Sequence, residues 1–235
     1  MKKILIAALL MPFVLAGCAE RSAQVYSPAY FLHSETISQG NINIKYPQIT
    51  GLADEAKQTA INNLIKNDLW ETEVQSTINA YKADNRNIAN ELALNLDYQV
   101  KLQTPQLLSI LYTGTGSIAG GAFSNEVYAI TIDLKEAKKL QLADFVTVDT
   151  NFANEVLQSS KIAGPGVDFG ARSDVLTEIH NSNAQSIIEG FNNQEAYYTF
   201  DVAPDALEIS IPISHAGGDY TLIEIPGQYA KNYTG

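Results

Sequence analysis

Leu92, Leu94, Leu96, Tyr98, Val100 and Leu102 alternate with Ala93, Asn95, Asp97, Gln99, Lys101 and Gln103. A period of two sustained this long predicts a half-buried strand with one wet face. Ile42, Ile44 and Tyr46 alternate with Asn43 and Lys45 to predict an earlier strand, punctuated at its end by Pro47 and Gly51. Between the two, apolar residues from Leu52 to Tyr81 recur at steps of three or four. Ala56, Ile61, Leu64, Ile65, Leu69, Val74 and Ile78 are among them, and the stripe predicts one long helix with a break near Asn67-Asp68. Asp54 and Glu55 stand where the helix dipole favours acids.

Downstream, Pro105 ends the long strand and Leu107 to Thr113 predicts the next. Gly114 to Gly121 reads as a glycine-rich turn, and Tyr128, Ile130, Ile132 and Leu134 predict a third strand of an antiparallel meander. Leu140, Leu142 and Phe145 form a short apolar element. A helix over 149–162, begun by Asp149 or Thr150, is followed by a Gly164-Pro165-Gly166 break and a second helical stretch from Val175 to Phe191. Strand periodicity returns at Tyr198, Phe200 and Val202, then at Leu207, Ile209, Ile211 and Ile213, and last from Tyr220 to Ile225 before Pro226-Gly227. Pro212 places its strand at an edge or stops it. The sum is α+β: a mainly antiparallel sheet with one long helix and a helical insert packed on it.

The N-terminus changes the picture. Lys2 and Lys3 precede an apolar stretch from Ile4 to Leu15 that is too short to span a bilayer, and Ala16-Gly17 is a small-residue cleavage site. Leu15-Ala16-Gly17-Cys18 resembles the lipobox of bacterial lipoproteins. That resemblance implies cleavage before Cys18 and diacylglycerol on its sulfur, with two or three acyl chains anchoring the protein to a membrane on the periplasmic or exterior side. Ala19 in place of Asp resembles outer-membrane sorting if the host is Gram-negative. The expected organisation is a signal peptide over 1–17, a lipidated tether over 18–35, a folded region over 36–228, and a tail over 229–235. The folded region divides into two interlocked subdomains at about 145/146.

Composition narrows the partners. The chain has 46% hydrophobic and 17% charged residues with 12 Tyr and 8 Phe, enough apolar surface to fold, and a formal charge of −11. Residues 1–17 hold two lysines and no acid, so the remainder carries 13 basic against 26 acidic residues, or −13. Such a body is a poor match for phosphate backbones, so no nucleic acid partner is expected, whereas a cationic partner is drawn in at low salt. The single Cys excludes an intramolecular disulfide.

Three stretches carry a resemblance. The first is Tyr46-Pro47-Gln48-Ile49-Thr50-Gly51-Leu52, leading into a helix with Ile61-Asn62. The second runs from Leu108-Ser109-Ile110 through Gly120-Gly121-Ala122 to Thr131-Ile132-Asp133-Leu134 and Leu140-Gln141-Leu142-Ala143-Asp144-Phe145. The third is Leu207-Glu208-Ile209 with Ile223-Glu224-Ile225-Pro226. Their order resembles the RsiV-like domain family, which includes the extracytoplasmic part of a lysozyme-sensing anti-sigma factor and the non-catalytic domain ahead of peptidoglycan deacetylases of the PdaC type. The resemblance implies an extracytoplasmic module without catalytic chemistry, binding a basic protein such as lysozyme or a peptidoglycan fragment. Where family members often carry His after Gly-Gly-Ala, this chain has Phe123. Only Met1 to Lys3 precede the apolar run, so the usual anti-sigma role is not expected.

Candidate chemistry is sparse. Gly114 to Gly121 lacks the Walker pattern and reads as a hairpin loop rather than an anion cradle. His33, His180 and His215 show no metal-ligand spacing, and no cofactor is expected. His215 and Asp219 flank a turn and could orient Ser214, although adjacent residues on a strand point to opposite faces. His215, Asp219 and Phe123 are the candidate ligand-binding residues beside the lipidation site Cys18. Acid pairs such as Glu71 with Glu73, or Asp54 with Glu55, fit a solvated helix face better than a glycosidase. Tyr197, Tyr198, Tyr220, Tyr229 and Tyr233 suit core packing or a carbohydrate or protein surface. The leading expectation is a non-enzymatic envelope lipoprotein that binds a protein or wall component. The alternatives are an envelope hydrolase acting on wall polymer, with His215 and Asp219 in a cleft, and a structural or assembly lipoprotein with an exposed apolar patch.

Overall fold

A computed structural model describes residues 30–83, 91–118, 120–165, 167–170 and 173–235. The signal peptide, Cys18 and the tether as far as residue 29 lie outside the described residues.

The first sheet has six strands in the order of the chain: β1 (Phe31–Gln39), β2 (Ile42–Thr50), β3 (Leu92–Gln103), β4 (Leu107–Ile118), β5 (Ser124–Asp133) and β6 (Lys138–Lys139). All neighbours are antiparallel except β2 and β3, which run parallel over Ile42–Ile44 and Leu94–Leu96. The crossover between them is the predicted long helix, divided into α1 (Glu55–Leu69), a π-helical segment (Trp70–Gln75) and α2 (Ser76–Ala83). The expected break near Asn67-Asp68 is this change of winding, a few residues later. Asp54 caps α1 by accepting from the Lys57 N–H at 2.9 Å. On the wet face of β2 and β3 the predicted polar positions meet: Asn43 bonds Asn95 at 3.1 Å and Lys45 reaches Asp97 at 2.7 Å.

The second sheet follows α3 (Thr150–Gln158). It contains β7 (Ile162–Gly164), β8 (Val167–Gly170), β9 (Thr199–Ala203), β10 (Ala206–Pro212) and β11 (Tyr220–Pro226), in the order β8-β7-β11-β10-β9. The helices α4 (Ser173–Asn181) and α5 (Ala184–Asn193) form the insert, and α6 (Tyr229–Asn232) closes the chain. The result is four layers: helix, sheet, sheet, helices. Ile44, Leu94, Leu96, Ile110 and Ile130 bury against Ile61, Ile65, Leu69 and Val74 in the outer core of the first sheet. Val202, Leu207, Ile209, Ile223 and Ile225 bury against Phe152, Val156, Val175, Ile179 and Ile187 in that of the second. Each such side chain contributes about 1.5–3 kcal/mol. Between the sheets, Leu111, Val127 and Ala129 meet Ala163, Tyr220 and Leu222. The chain is α+β with mainly antiparallel strands, as expected, but in two sheets rather than one.

Several expectations need correction. Residues 31–35, assigned to the tether, begin β1, whose exposed faces leave no alternation to read. Pro47 lies inside β2 rather than at its end. Its missing N–H falls on the β3 side, where pairing has already stopped at Ile44. Gly114 and Gly116 belong to β4, so only the end of the glycine-rich stretch turns. A Cβ at Gly114 would sit 1.9 Å from the Asn95 carbonyl oxygen, so the close strand approach requires glycine. A bulge between Val100 and Leu102 breaks the predicted alternation: Val100 is exposed, and Leu102 turns to the core of the second sheet. α3 stops at Gln158 instead of 162. The tail over 229–235 holds α6, and the Tyr233 hydroxyl donates to Asp133 at 2.7 Å.

Candidate functional site

The three candidate ligand-binding residues gather at one end of the molecule, where the β4–β5 connection meets the turn before β11. His215 opens a 3-10 turn (His215–Gly217), and its Nδ1 lies 2.6 Å from Asp219 Oδ1. Asp219 adopts a left-handed φ of 72° and with its other oxygen accepts from the Asn125 backbone N–H at 2.7 Å and side-chain amide at 3.2 Å. Burial works against the Asp219 charge, but these hydrogen bonds from Asn125 and His215 hold its carboxyl below the usual range. Phe123, two residues before Asn125, is 66% exposed.

These residues do not form a nucleophilic constellation. The Ser214 N–H and hydroxyl both donate to the Glu178 carboxylate at 2.8 Å, and the hydroxyl oxygen accepts from Gly217 N–H. Ser214 is thus turned to Glu178, while the His215 ring stands mostly in solvent. Asp219 ties the turn to the rim of β5. Among the described residues no three His, Cys, Asp or Glu side chains gather as a metal site.

A second concavity was not singled out from sequence. A cleft of about 590 Å³ lies between the π segment at Thr72, the start of α2 at Ser76 and Thr77, the rim of β5 from Glu126 to Thr131, and the connection Gln194–Tyr198. A smaller cleft of about 270 Å³, beside Leu92, Gly116 and Ala122, shares Thr77, Ile118 and Glu126 with it. The two form one groove with Glu126 at the junction. Thr72 lies in the π segment, a winding common at functional sites.

Glu126 projects from β5 toward the helical side, above Gly116. A Cβ there would lie 2.7 Å from its Oε1, so glycine supplies the space. The Ser124 hydroxyl donates to Oε1 at 2.5 Å. Burial is the largest influence on this carboxyl and pushes it above the usual range. Ser124 offsets part of that, and the neighbouring Asp219 charge adds to it. No described lysine or arginine lies within ion-pair reach of Glu126.

At the other end of the groove the charges are matched. Lys139 Nζ donates to both Asp68 oxygens at 3.0 and 3.1 Å and to the Tyr128 oxygen at 3.2 Å, while the Tyr128 hydroxyl donates to Asp68. This network fastens α1 to β5 and β6. The opposite wall is aromatic: Tyr198 stands edge-on to Phe191 at 5.5 Å, and Tyr197 stacks on Tyr220 at 6.4 Å. Gln194 and Tyr197 both hold left-handed backbone, with φ of 53° and 67°, which stores strain in the groove wall. The sequence did hold a signal. Glu126 occupies the apolar phase of its strand, two positions before Tyr128, where an acid has no structural reason to be.

Two sheets packed face to face, flanked by helices and grooved at their joint, define the class of this protein: a two-sheet α+β module. Within it, residues 33–126 match the family described as Deacetylase PdaC, a stretch that runs from His33 in β1 to Glu126 itself. That match covers the first part of the chain and is consistent with the RsiV-like resemblance. The match stops well short of residue 228, and the remainder is covered by structural likeness. A member of the DUF3298 family from Bacteroides fragilis superposes with a TM-score of 0.51 at 12% identity, covering 89% of this chain and 95% of that one, which shows the shared fold. A DUF3298 family protein from Pseudomonas aeruginosa superposes with a TM-score of 0.42 at 12% identity, covering 84% and 88%. No curated protein matches the chain. No described helix is long and apolar enough to cross a membrane.

Proposed function

We propose that this protein is an envelope binding module, held to a membrane by lipid on Cys18, that captures a basic protein of the lysozyme type without turning it over. The observation that carries the reading is Glu126: a largely buried carboxylate with no described cation beside it, at the junction of two clefts. A lysine or arginine side chain entering the groove supplies the missing charge and finds the Thr72, Ser76 and Thr77 hydroxyls and the Tyr198 ring beside it. The net charge of −11 accelerates encounter with a basic partner at low salt. The RsiV-like resemblance adds a precedent for such a ligand.

The test is calorimetric titration of the full chain with lysozyme at low salt, beside Glu126→Gln and a control, Glu136→Gln, at an exposed acid. Loss of a charge-assisted contact at Glu126 lowers affinity about tenfold or more, and the control leaves it unchanged. Equal binding by all three proteins, or none, overturns the reading. Binding of muropeptides in place of lysozyme replaces the protein ligand by a wall fragment.

A further inference from the structure

Among the described residues, β1 is an uncovered edge of the first sheet. It runs nine residues in unbroken register with β2, from Phe31 opposite Thr50 to Gln39 opposite Ile42. It holds no lysine, proline or bulge, the usual means of blunting a free edge. Phe31 is 71% exposed at its start.

The hydrogen-bonding phase of this edge follows from the hairpin. Gly40, with φ of 60°, and Asn41 make a two-residue turn, which closes on a hydrogen-bonded pair at Gln39 and Ile42. Alternation then turns the N–H and C=O of Phe31, His33, Glu35 and Ile37 toward β2, and those of Leu32, Ser34, Thr36 and Ser38 outward. The Asn41 carbonyl accepting from Leu94 N–H at 3.2 Å fixes the same phase from the β3 side.

We propose that β1 joins two copies of this chain, antiparallel about a two-fold axis at Ser34, into one continuous sheet. The strand's match to itself chooses both the occupant and the register. With the axis at Ser34, His33 of each copy faces Glu35 of the other, and the exposed Phe31 faces Ile37. His33 and Glu35 already lie 3.3 Å apart within one copy, so the dimer closes a ring of alternating partners. An axis at Glu35 would oppose two carboxylates, and one at Thr36 would set Glu35 against Ile37. Ser34 is an outward-facing residue, so the axial pair is also a hydrogen-bonded one. The interface is isologous and closed, as a dimer requires. It is separate from the groove at Glu126 and stands or falls apart from it.

The experiment uses the full chain with Cys18→Ser, so that an introduced thiol is the only one. Opposed residues of a hydrogen-bonded antiparallel pair lie about 5.5 Å apart at Cα, within disulfide range. Ser34→Cys therefore cross-links to a dimer on mild oxidation, and Ser38→Cys, equally outward but far from the axis, does not. Sedimentation shows a reversible dimer with Ser34 intact. Thr36→Pro removes an outward N–H that the hairpin does not use, so its dissociation constant rises tenfold or more while Tm stays within a few degrees. If that proline unfolds the chain, Ser34→Lys reads the same loss, because it opposes two like charges directly on the axis. A monomer throughout the micromolar range, cross-linking at Ser38 instead of Ser34, or a Ser34 adduct with a different protein each overturns the proposal.

Discussion

The side chain of Asn62 bonds both backbone groups of Ile49. Its Oδ1 accepts from the Ile49 N–H at 2.7 Å and its Nδ2 donates to the Ile49 carbonyl at 3.0 Å. β2 leaves β3 after Ile44, so this stretch of β2 has no strand on that side, and an amide from α1 stands in for one. The relationship gives physical content to the first stretch of the family resemblance, in which the residues around Ile49 lead into a helix carrying Ile61-Asn62.

Asn62→Ala leaves two main-chain groups of a fully buried residue without partners. The expected cost is about 1–3 kcal/mol, read from denaturant unfolding with an unchanged m-value. Asn62→Asp keeps the acceptor, loses the donor and sets a carboxylate against a carbonyl, so it costs at least as much.

Gly114 and Gly116 separate fold from function. Alanine at Gly114 drives a Cβ to 1.9 Å from a main-chain oxygen of β3, which cannot retreat without breaking the pairing. We expect a loss of about 3 kcal/mol or more in stability. Alanine at Gly116 meets only the end of the Glu126 side chain. Its Tm stays close to that of the parent, while affinity for a basic ligand drops, because the displaced carboxylate no longer stands at the groove junction. Equal losses of stability in the two variants would refute the distinction.

How much of this was legible follows from where periodicity carries information. The alternation from Leu92 to Leu96 and from Leu207 to Ile211 predicted strands because one face of each meets a core and the other does not. β1 was invisible because only Leu32 and Ile37 of its nine residues are partly buried, five positions apart and so out of phase, and β7 is too short for a period to show. Lys101 was assigned to the wet face of an unbroken strand. That face is wet only at the start of the strand; farther along the second sheet covers it, so Lys101 meets Glu208, a consequence of tertiary packing that no local pattern records. His215 and Asp219 stand out in the sequence as polar residues in a turn; in the structure Asp219 ties that turn to Asn125 of β5, and the His215 ring beside it stands mostly in solvent. Glu126 was missed because one acid in an apolar phase is easily read as the frayed start of a strand.

The raised Glu126 carboxyl sets a pH dependence for the proposed ligand. A cation binds the ionised form, so affinity is full at neutral pH and lost on acidification through the raised value, earlier than for an ordinary glutamate. Titrations with lysozyme from neutral pH down through the ordinary glutamate range should show this decline beginning earlier in the parent, and a flatter profile in Glu126→Gln. Parallel profiles would mean that another group governs binding.

Lys101, on the face of β3 that the second sheet covers, makes a buried ion pair between the sheets. Lys101 Nζ lies 2.6 Å from Glu208 Oε2, and both side chains are largely shielded. Lys101→Met removes the cation and leaves two acids, Asp201 and Glu208, facing each other across β9 and β10. Breaking a buried pair in this way costs about 3–5 kcal/mol. Lys101→Met combined with Glu208→Leu recovers most of that loss, since an apolar pair of similar volume needs no compensation. Failure of the double variant to recover would place the importance of Lys101 in its aliphatic stem.

Asp201 makes the same joint sensitive to alkali. It is fully buried, and neither carboxyl oxygen has a hydrogen-bond partner of good geometry. Glu208 and Lys101 are the charged groups that face it, with Ser210 and the Ser109–Thr131 hydroxyl pair nearby on the two sheets. Burial first and the Glu208 charge second push its carboxyl well above the ordinary range, and Lys101 offsets only part of this. An aspartate in the unfolded chain titrates near 3.9. Between about that pH and the raised folded value, folding takes up a proton. The stability that Asp201 contributes is therefore complete below the unfolded value and is lost as pH rises toward the folded one, by about 1.4 kcal/mol per unit. Asp201→Asn carries no such linkage. Its Tm should exceed that of the parent, and the excess should widen from pH 5 to pH 8, by about 2–4 °C for each kcal/mol in a chain of this size. A Tm difference that stays constant across that range would show that the Asp201 carboxyl titrates like an exposed one, and that the two sheets meet around a wetter joint than the packing of Leu111, Val127 and Leu222 implies.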